Sequence, residues 1–240
     1  MASIVFTDTI GVLDVYAPKP AFQVIPDWYK DTESYLSDVK KPNGNGDTSA
    51  TIKRCMPIFD ALNSGYILVT YNDIWVSKKS EIDAKTNEPT GKKVSWYEWP
   101  SFSPIQFHSI EQAKKYPNVK NDAIPKWTNP WGIKTPPGFS TLFIPPVHRN
   151  NVFTAFPGVV DTDTYTAPVN IVFVLSDPDF EGLVPAGTPI VQVIPFKRES
   201  WEMSLGNERD FNEQVKVTSK LRTKFFDSYK TQYRQVKEYR

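Results

Sequence analysis

Five carboxylates crowd the middle of the sequence. Asp161 and Asp163 lie in the turn-like run Gly158-Val159-Val160-Asp161-Thr162-Asp163-Thr164-Tyr165, with Asp177, Asp179 and Glu181 downstream. Carboxylates this close can gather a divalent cation, or one can take a proton from water as a general base. The regular oxygen spacing of a calcium loop is absent. Asp between strands also organises turns through Asx hydrogen bonds, and for Asp161 and Asp163 that role is the one adopted. His108 and His148 are the two histidines, and neither sits in a His-x-x-x-His pattern, so both read as polar residues rather than metal ligands. Cys55 is alone, which excludes an internal disulfide and a Cys-based zinc site; it reads as a small buried hydrophobe. No Gly-x-Ser-x-Gly elbow, phosphate-binding loop or dinucleotide fingerprint is present, which argues against a single-nucleophile hydrolase. Trp127, Trp131, Phe139 and Phe143, beside Lys126 and Lys134, could line a ligand pocket or stack on bases. They read first as core and subunit contact.

The elements that must hold these residues are short strands. Residues 136–196 contain apolar runs rich in Val, Ile and Phe, punctuated by Pro and Gly, the pattern of buried or half-buried strands joined by tight turns. With 21 prolines against 11 glycines, many short elements and rigid turns are expected rather than long helices. Residues 4–6, 12–16, 22–26, 66–70, 73–77, 94–99 and 105–108 read as further strands, with Asp27 as the N-cap of a short helix. Residues 51–62 carry apolar positions at helical spacing, but Pro57 in their middle points to a break or two short pieces. Residues 78–93 suit a hairpin or a long loop, and residues 111–116 a turn or two of helix. From about Phe211 onward, Phe211, Val215, Leu221, Phe225, Tyr229 and Tyr233 form the stripe of an amphipathic helix.

A chain of 240 residues suits a single domain: an N-terminal elaboration (1–125), a β core (126–200) and a C-terminal helix (211–240). Net charge is +1, but residues 216–240 hold eight Lys or Arg and two acids, so this tail is strongly basic. Such a helix is read as packed through its Phe and Tyr stripe with its lysines solvated; contact with nucleic acid is the alternative. No apolar run approaches the ~20 residues of a membrane helix, and the N-terminus lacks the pattern of a signal peptide. A non-secreted, non-membrane protein is expected, fitting a bacterial cytoplasm or a virion assembled there.

Two resemblances bear on this. Residues Ile25-Pro26-Asp27-Trp28-Tyr29-Lys30, the run from Thr51 to Asp60, Asn129-Pro130-Trp131, Thr135-Pro136-Pro137-Gly138-Phe139-Ser140 and the run from Pro189 to Arg198 resemble an uncharacterised family of bacteria and tailed phages, including cyanophages. That likeness implies origin and no activity. The second, over residues 136–196, is to the β-clip fold of trimeric dUTPases and dCTP deaminases: a Pro-Gly-aromatic strand, a Gly-Val-Val-Asp turn, then Gly187-x-x-Ile190-x-Gln192. It implies Asp161 as the residue that activates water and Tyr165 as support for the deoxyribose, with Gln192 near subunit contacts. Asp163 and Trp131 join Tyr165 and Gln192 as candidate ligand-binding residues. The family's phosphate-binding Arg-Ser-Gly-Ser is replaced by Pro145-Pro146-Val147-His148-Arg149, and no Gly-rich arm closes the chain.

The expectation is therefore a mainly β (α+β) protein with a β-clip-like core, an irregular N-terminal half and one C-terminal amphipathic helix. The function expected is non-catalytic: a phage-type structural or binding protein, without cofactor or metal, that self-associates through the core, with a trimer as the form to look for. Partners would be virion proteins. The alternatives are a nucleotide-binding or nucleotide-hydrolysing protein, for which Mg²⁺ would be needed, and a nucleic-acid-binding accessory protein using residues 216–240.

Overall fold

A computed structural model describes residues 2–11, 14–36, 49–82, 89–98, 104–113, 115–116, 124–223 and 227–240. The fold is mainly β, as the sequence predicts. Its strands are β1 (Val5–Asp8), β2 (Lys19–Pro20), β3 (Tyr66–Val69), β4 (Ile74–Ile82), β5 (Pro89–Glu98), β6 (Ile105–His108), β7 (Ile124–Trp127), β8 (Trp131–Lys134), β9 (Phe139–Ile144), β10 (Phe153–Ala155), β11 (Gly158–Val160), β12 (Ile171–Leu175), β13 (Gly182–Val184) and β14 (Pro189–Lys197). The helices are α1 (Asp27–Asp31), α2 (Met56–Asn63), α3 (Ile110–Ala113), α4 (Glu208–Thr223) and α5 (Ser228–Gln232). The chain divides into two compact units. One holds residues 1–19 and 65–198; the other holds residues 20–64 and 199–240.

The first unit is the β unit. Its largest sheet runs β11-β9-β14-β3-β2, beside sheets ordered β10-β12-β7-β6 and β13-β4-β5 and the pair β1-β8. Strand β14 is the centre: it pairs antiparallel with β3 through Gln192↔Ile67 and Val193↔Tyr66, and with β9 through Val193↔Phe143 and Phe196↔Ser140. All four residues of β3 are buried, as are Ile190 to Val193 of β14. Consecutive burial requires cover on both faces of a sheet, because successive side chains point opposite ways. In the neighbouring sheet Phe153 and Phe173, both fully buried, meet edge to face with ring centroids 4.8 Å apart. That offset geometry suits the ring quadrupoles.

The second unit is built from helices and turns. A 3₁₀ turn, Ile52–Arg54, precedes α2, and Pro57 lies in the first turn of α2. There its missing N–H costs nothing, so the expected break at Pro57 is met by two short pieces. Asp60, inside α2, accepts from Arg234 Nη2 at 2.7 Å and Lys237 Nζ at 3.0 Å. Desolvation raises the Asp60 carboxyl, but hydrogen bonds from Arg234 and Lys237 outweigh it and leave its pKa lowered. Arg234 also stacks over the Phe59 ring, 5.4 Å from its centroid.

Several local expectations are corrected. Residues 21–24 and 14–16 form 3₁₀ turns rather than strands; residues 12–13 lie outside the described residues. Around residues 21–24 the prolines at 20 and 26 hold the flanks extended, leaving too short a run for a strand. Pro26, not Asp27, occupies the N-cap of α1, and Asp27 pairs with Lys30 at 2.8 Å. Of the span expected to be a hairpin or a long loop, residues 78–82 and 89–93 pair as strands β4 and β5, a hairpin as one expectation had it; residues 83–88 lie outside the described residues. The C-terminal helix expected from Phe211 is present as α4, but it does not run on to residue 240: a short α5 follows. Asp227, at φ +61, begins α5 from a left-handed conformation that a continuous helix cannot contain. Phe225 lies outside the described residues. Of the expected stripe, Phe211 is 65% exposed and Val215 is exposed too, so none of the described residues covers that part.

Candidate functional site

The two aspartates of the acidic turn stand at one end of the largest sheet. The register places them. Val160 of β11 pairs with Thr141 of β9, so the chain that follows β11 passes Ser140 and the Pro137-Gly138 turn. Lys197 of β14 pairs with Phe139, which delivers Arg198 to the same place, where its N–H donates to the Gly138 carbonyl at 2.8 Å. Three segments far apart in sequence thus converge where β9 begins.

Arg198 fills the space between the two carboxylates. Its Nη1 donates to Asp163 Oδ1 at 2.9 Å, Asp161 Oδ1 at 3.2 Å, Ser140 Oγ at 3.1 Å and the Phe139 carbonyl at 3.0 Å. Its Nη2 donates to Asp163 Oδ2. Nη1 has two hydrogens, so these four acceptors share them, while the Asp163 contact is the bidentate fork that guanidinium and carboxylate favour. Ser140 Oγ donates to Asp161 Oδ1 at 2.6 Å, and Gly138 N–H donates to Asp163 Oδ2 at 2.8 Å. The hydrogen bond from Arg198, helped by the Gly138 N–H, lowers the Asp163 pKa to about 2. The same pairing raises the Arg198 pKa.

Between the aspartates, Thr162 points the other way. It is buried with Thr135 and Thr141, and its Oγ1 lies 2.8 Å from each of their hydroxyls. Thr162 also accepts the Thr135 N–H at its carbonyl, 3.1 Å away. An alternating Asp-Thr-Asp run therefore splits into an outer ionic layer and an inner hydroxyl layer. The inner hydroxyls satisfy one another, as buried polar groups must.

Of the other expected site residues, Tyr165 stays on the same turn, whereas Gln192 and Trp131 lie elsewhere. Tyr165 is half exposed, and its backbone N–H donates to the Asp161 carbonyl at 2.8 Å, closing the turn. Gln192 is buried at the centre of β14, where its Oε1 accepts the Val147 N–H at 3.1 Å. It stands four residues along β14 from Phe196, about 13 Å from the aspartate cluster. Trp131 is buried in β8, paired with Asp8 of β1, and its backbone is held at both ends by the Asn129 side chain. Asp161 and Asp163 share one cluster; Gln192 and Trp131 serve the interior. Asp177 and Asp179 form an Asx turn, the Asp179 N–H donating to Asp177 Oδ1 at 2.8 Å.

Chemically, the arrangement is a clamp. The Asp163 carboxylate, held at about 2, is a weak proton acceptor at neutral pH, since an efficient general base titrates near the working pH. Among the described residues, no group of three or more His, Cys, Asp and Glu side chains converges on a point that could hold a metal ion. No helix there is long and apolar enough to cross a membrane. Arg198 and Ser140 are the residues that sequence reasoning passes over. The acidic pair signals a need for a cation, but only strand register identifies which one. A scan against family models finds no match to this chain, and a search of curated proteins finds none either.

Proposed function

We propose that the chain is a non-catalytic structural or binding protein of phage type, self-associating through its β unit, in the virion or the bacterial host cytoplasm. One observation carries the non-catalytic part: Arg198 engages Asp161 and Asp163 together, while Ser140 and Gly138 take further positions on the same carboxylates. Asp161 itself faces water, its side chain 62% exposed, but a nucleotide hydrolase also needs cationic groups turned toward phosphate. Here the one guanidinium of the cluster is bound to the acids. The turn is thereby locked to β9 and β14, which suits a rigid scaffold. The β-clip likeness of residues 136–196 supports the same reading by analogy of fold, and the phage-family likeness supports the setting.

Thermal melting with a panel of nucleotides, with and without Mg²⁺, tests it. The expected result is no shift with any nucleotide, together with recovery of the protein from purified virions. A shift of several degrees with one nucleotide, lost in Asp161→Ala, overturns the proposal and supports a nucleotide-binding protein.

A further inference from the structure

The chain passes between its two units three times, after residues 19, 64 and 198. Two of these passages are built into the sheets. Lys19 and Pro20 form β2, at the edge of the largest sheet, and the backbone at Gly65 lies so close to the Val193 carbonyl that no Cβ fits between them. The third passage is open. Residues 199–206 have no secondary structure and every one of them is exposed. No backbone N–H or carbonyl from Ser200 to Gly206 is hydrogen-bonded to the described residues. Trp201 and Met203 are each 87% exposed, and Leu205 is 89% exposed. Order resumes at α4. Asn207 Oδ1 accepts the Arg209 N–H and Asp210 Oδ2 accepts the Asn207 N–H, each at 2.8 Å, a reciprocal capping box.

We propose that residues 199–206 are a nicking site: an endopeptidase with apolar pockets cuts the folded protein here, and the two pieces stay together. A protease takes up its substrate as an added strand, through main-chain hydrogen bonds and pockets for alternate side chains. A segment already paired in a sheet reaches that state only when the fold opens, whereas Ser200 to Gly206 need no opening. Drawn out as a strand, Trp201, Met203 and Leu205 fall on one side and Glu202, Ser204 and Gly206 on the other. Hydrolysis breaks one peptide C–N bond. The water oxygen joins the acyl carbon as a new carboxylate, and both water hydrogens end on the nitrogen as a new ammonium terminus. Within the second unit, the piece after the cut is held to residues 20–64. Arg234 Nη2 and Lys237 Nζ reach Asp60 at 2.7 and 3.0 Å, and the Arg234 and Asp60 side chains are only 13% and 11% exposed. Arg54 pairs with Asp227, and Arg234 lies over the Phe59 ring. The cut therefore removes the direct link from β14 to α4 and leaves the passages after residues 19 and 64 intact. This nicking does not depend on the function proposed above.

Brief digestion of the full chain with chymotrypsin, read by mass spectrometry and by gel filtration without denaturant, tests it. The first cut falls after Trp201, Met203 or Leu205. Its rate in Phe173→Ala stays within about twofold of wild type, whereas cuts that need the β unit to open speed up about a hundredfold or more. Exchanging Trp201, Met203 and Leu205 together for serine slows the cut about tenfold or more, and all three are too exposed for the exchange to disturb the fold. The C-terminal piece co-elutes with the remainder. Asp60→Ala weakens its retention about a hundredfold or more, and Arg54→Ala, in a more open pair, about fivefold. A first cut outside residues 199–206, a rate that climbs with Phe173→Ala, or a wild-type piece that elutes alone would each overturn the nicking site. So would retention that neither Asp60→Ala nor Arg54→Ala weakens.

Discussion

Replacing Gly65 by alanine isolates how closely β3 enters the sheet. Gly65 sits at φ +70, directly before β3, and a Cβ built there would lie 2.0 Å from the Val193 carbonyl oxygen and 2.9 Å from its carbon. Both obstacles are backbone of the central strand, so no side-chain rotation relieves them. The left-handed conformation costs a non-glycine residue about 1–2 kcal/mol. Forcing β14 aside adds about 1–3 kcal/mol, the usual range for overpacking. Gly138 supplies the control. Its φ is +84, yet nothing lies within 4 Å of the point a Cβ would occupy, so Gly138→Ala carries the conformational cost alone. Urea unfolding followed by far-ultraviolet circular dichroism should show Gly138→Ala destabilised by about 1–2 kcal/mol and Gly65→Ala by about 2–5 kcal/mol. Against the roughly 5–15 kcal/mol that holds a domain together, the second is a severe loss. Equal midpoints for the two variants would refute the claim that contact with Val193, rather than φ, makes Gly65 necessary.

Two further outcomes follow from the same packing. Because the folded Asp163 pKa is depressed to about 2, below the unfolded value near 3.9, its contribution is complete above about pH 4 and disappears as pH falls through 2. Melting temperatures of wild type and Asp163→Asn should therefore converge across that window, and curves that stay parallel would remove Asp163 from the account. Phe173→Ala deletes a fully buried ring against Phe153 and should cost about 3–5 kcal/mol in urea unfolding. A loss below about 1 kcal/mol would mean that the site collapses around the deletion.

Where local chemistry decides, the fold was legible. The run at residues 66–70 and the closing strand at 189–197 are strongly apolar and bounded by Gly or Pro, and both are strands. Pro57 announced two helical pieces, because a proline can occupy only the first turn of a helix. Apolar content misled at residues 22–26, where Phe, Val and Ile suggested a strand but flanking prolines permit only a 3₁₀ turn. At the C-terminus the apolar stripe ran past the end of α4 at Thr223 and the left-handed Asp227 that begins α5, while the Asn207–Asp210 capping box, readable in the sequence, sets the true start. The aspartate cluster was half legible. Two acids in a turn were visible; that Arg198 lies between them depends on β9 and β14 pairing Phe139 with Lys197, a register no local pattern specifies.

The ion pair between Asp60 and Arg234 joins residues 174 positions apart. A chain leaving the ribosome completes every strand of the β unit by Arg198, while Asp60 still lacks the cations that will neutralise it. The helical unit therefore closes after the β unit, once Arg234 and Lys237 have emerged. A stop codon before residue 234 would leave the sheets intact in sequence but leave α2 with an uncompensated carboxylate. Quality control acting on truncated chains would then meet a finished half and an unfinished one.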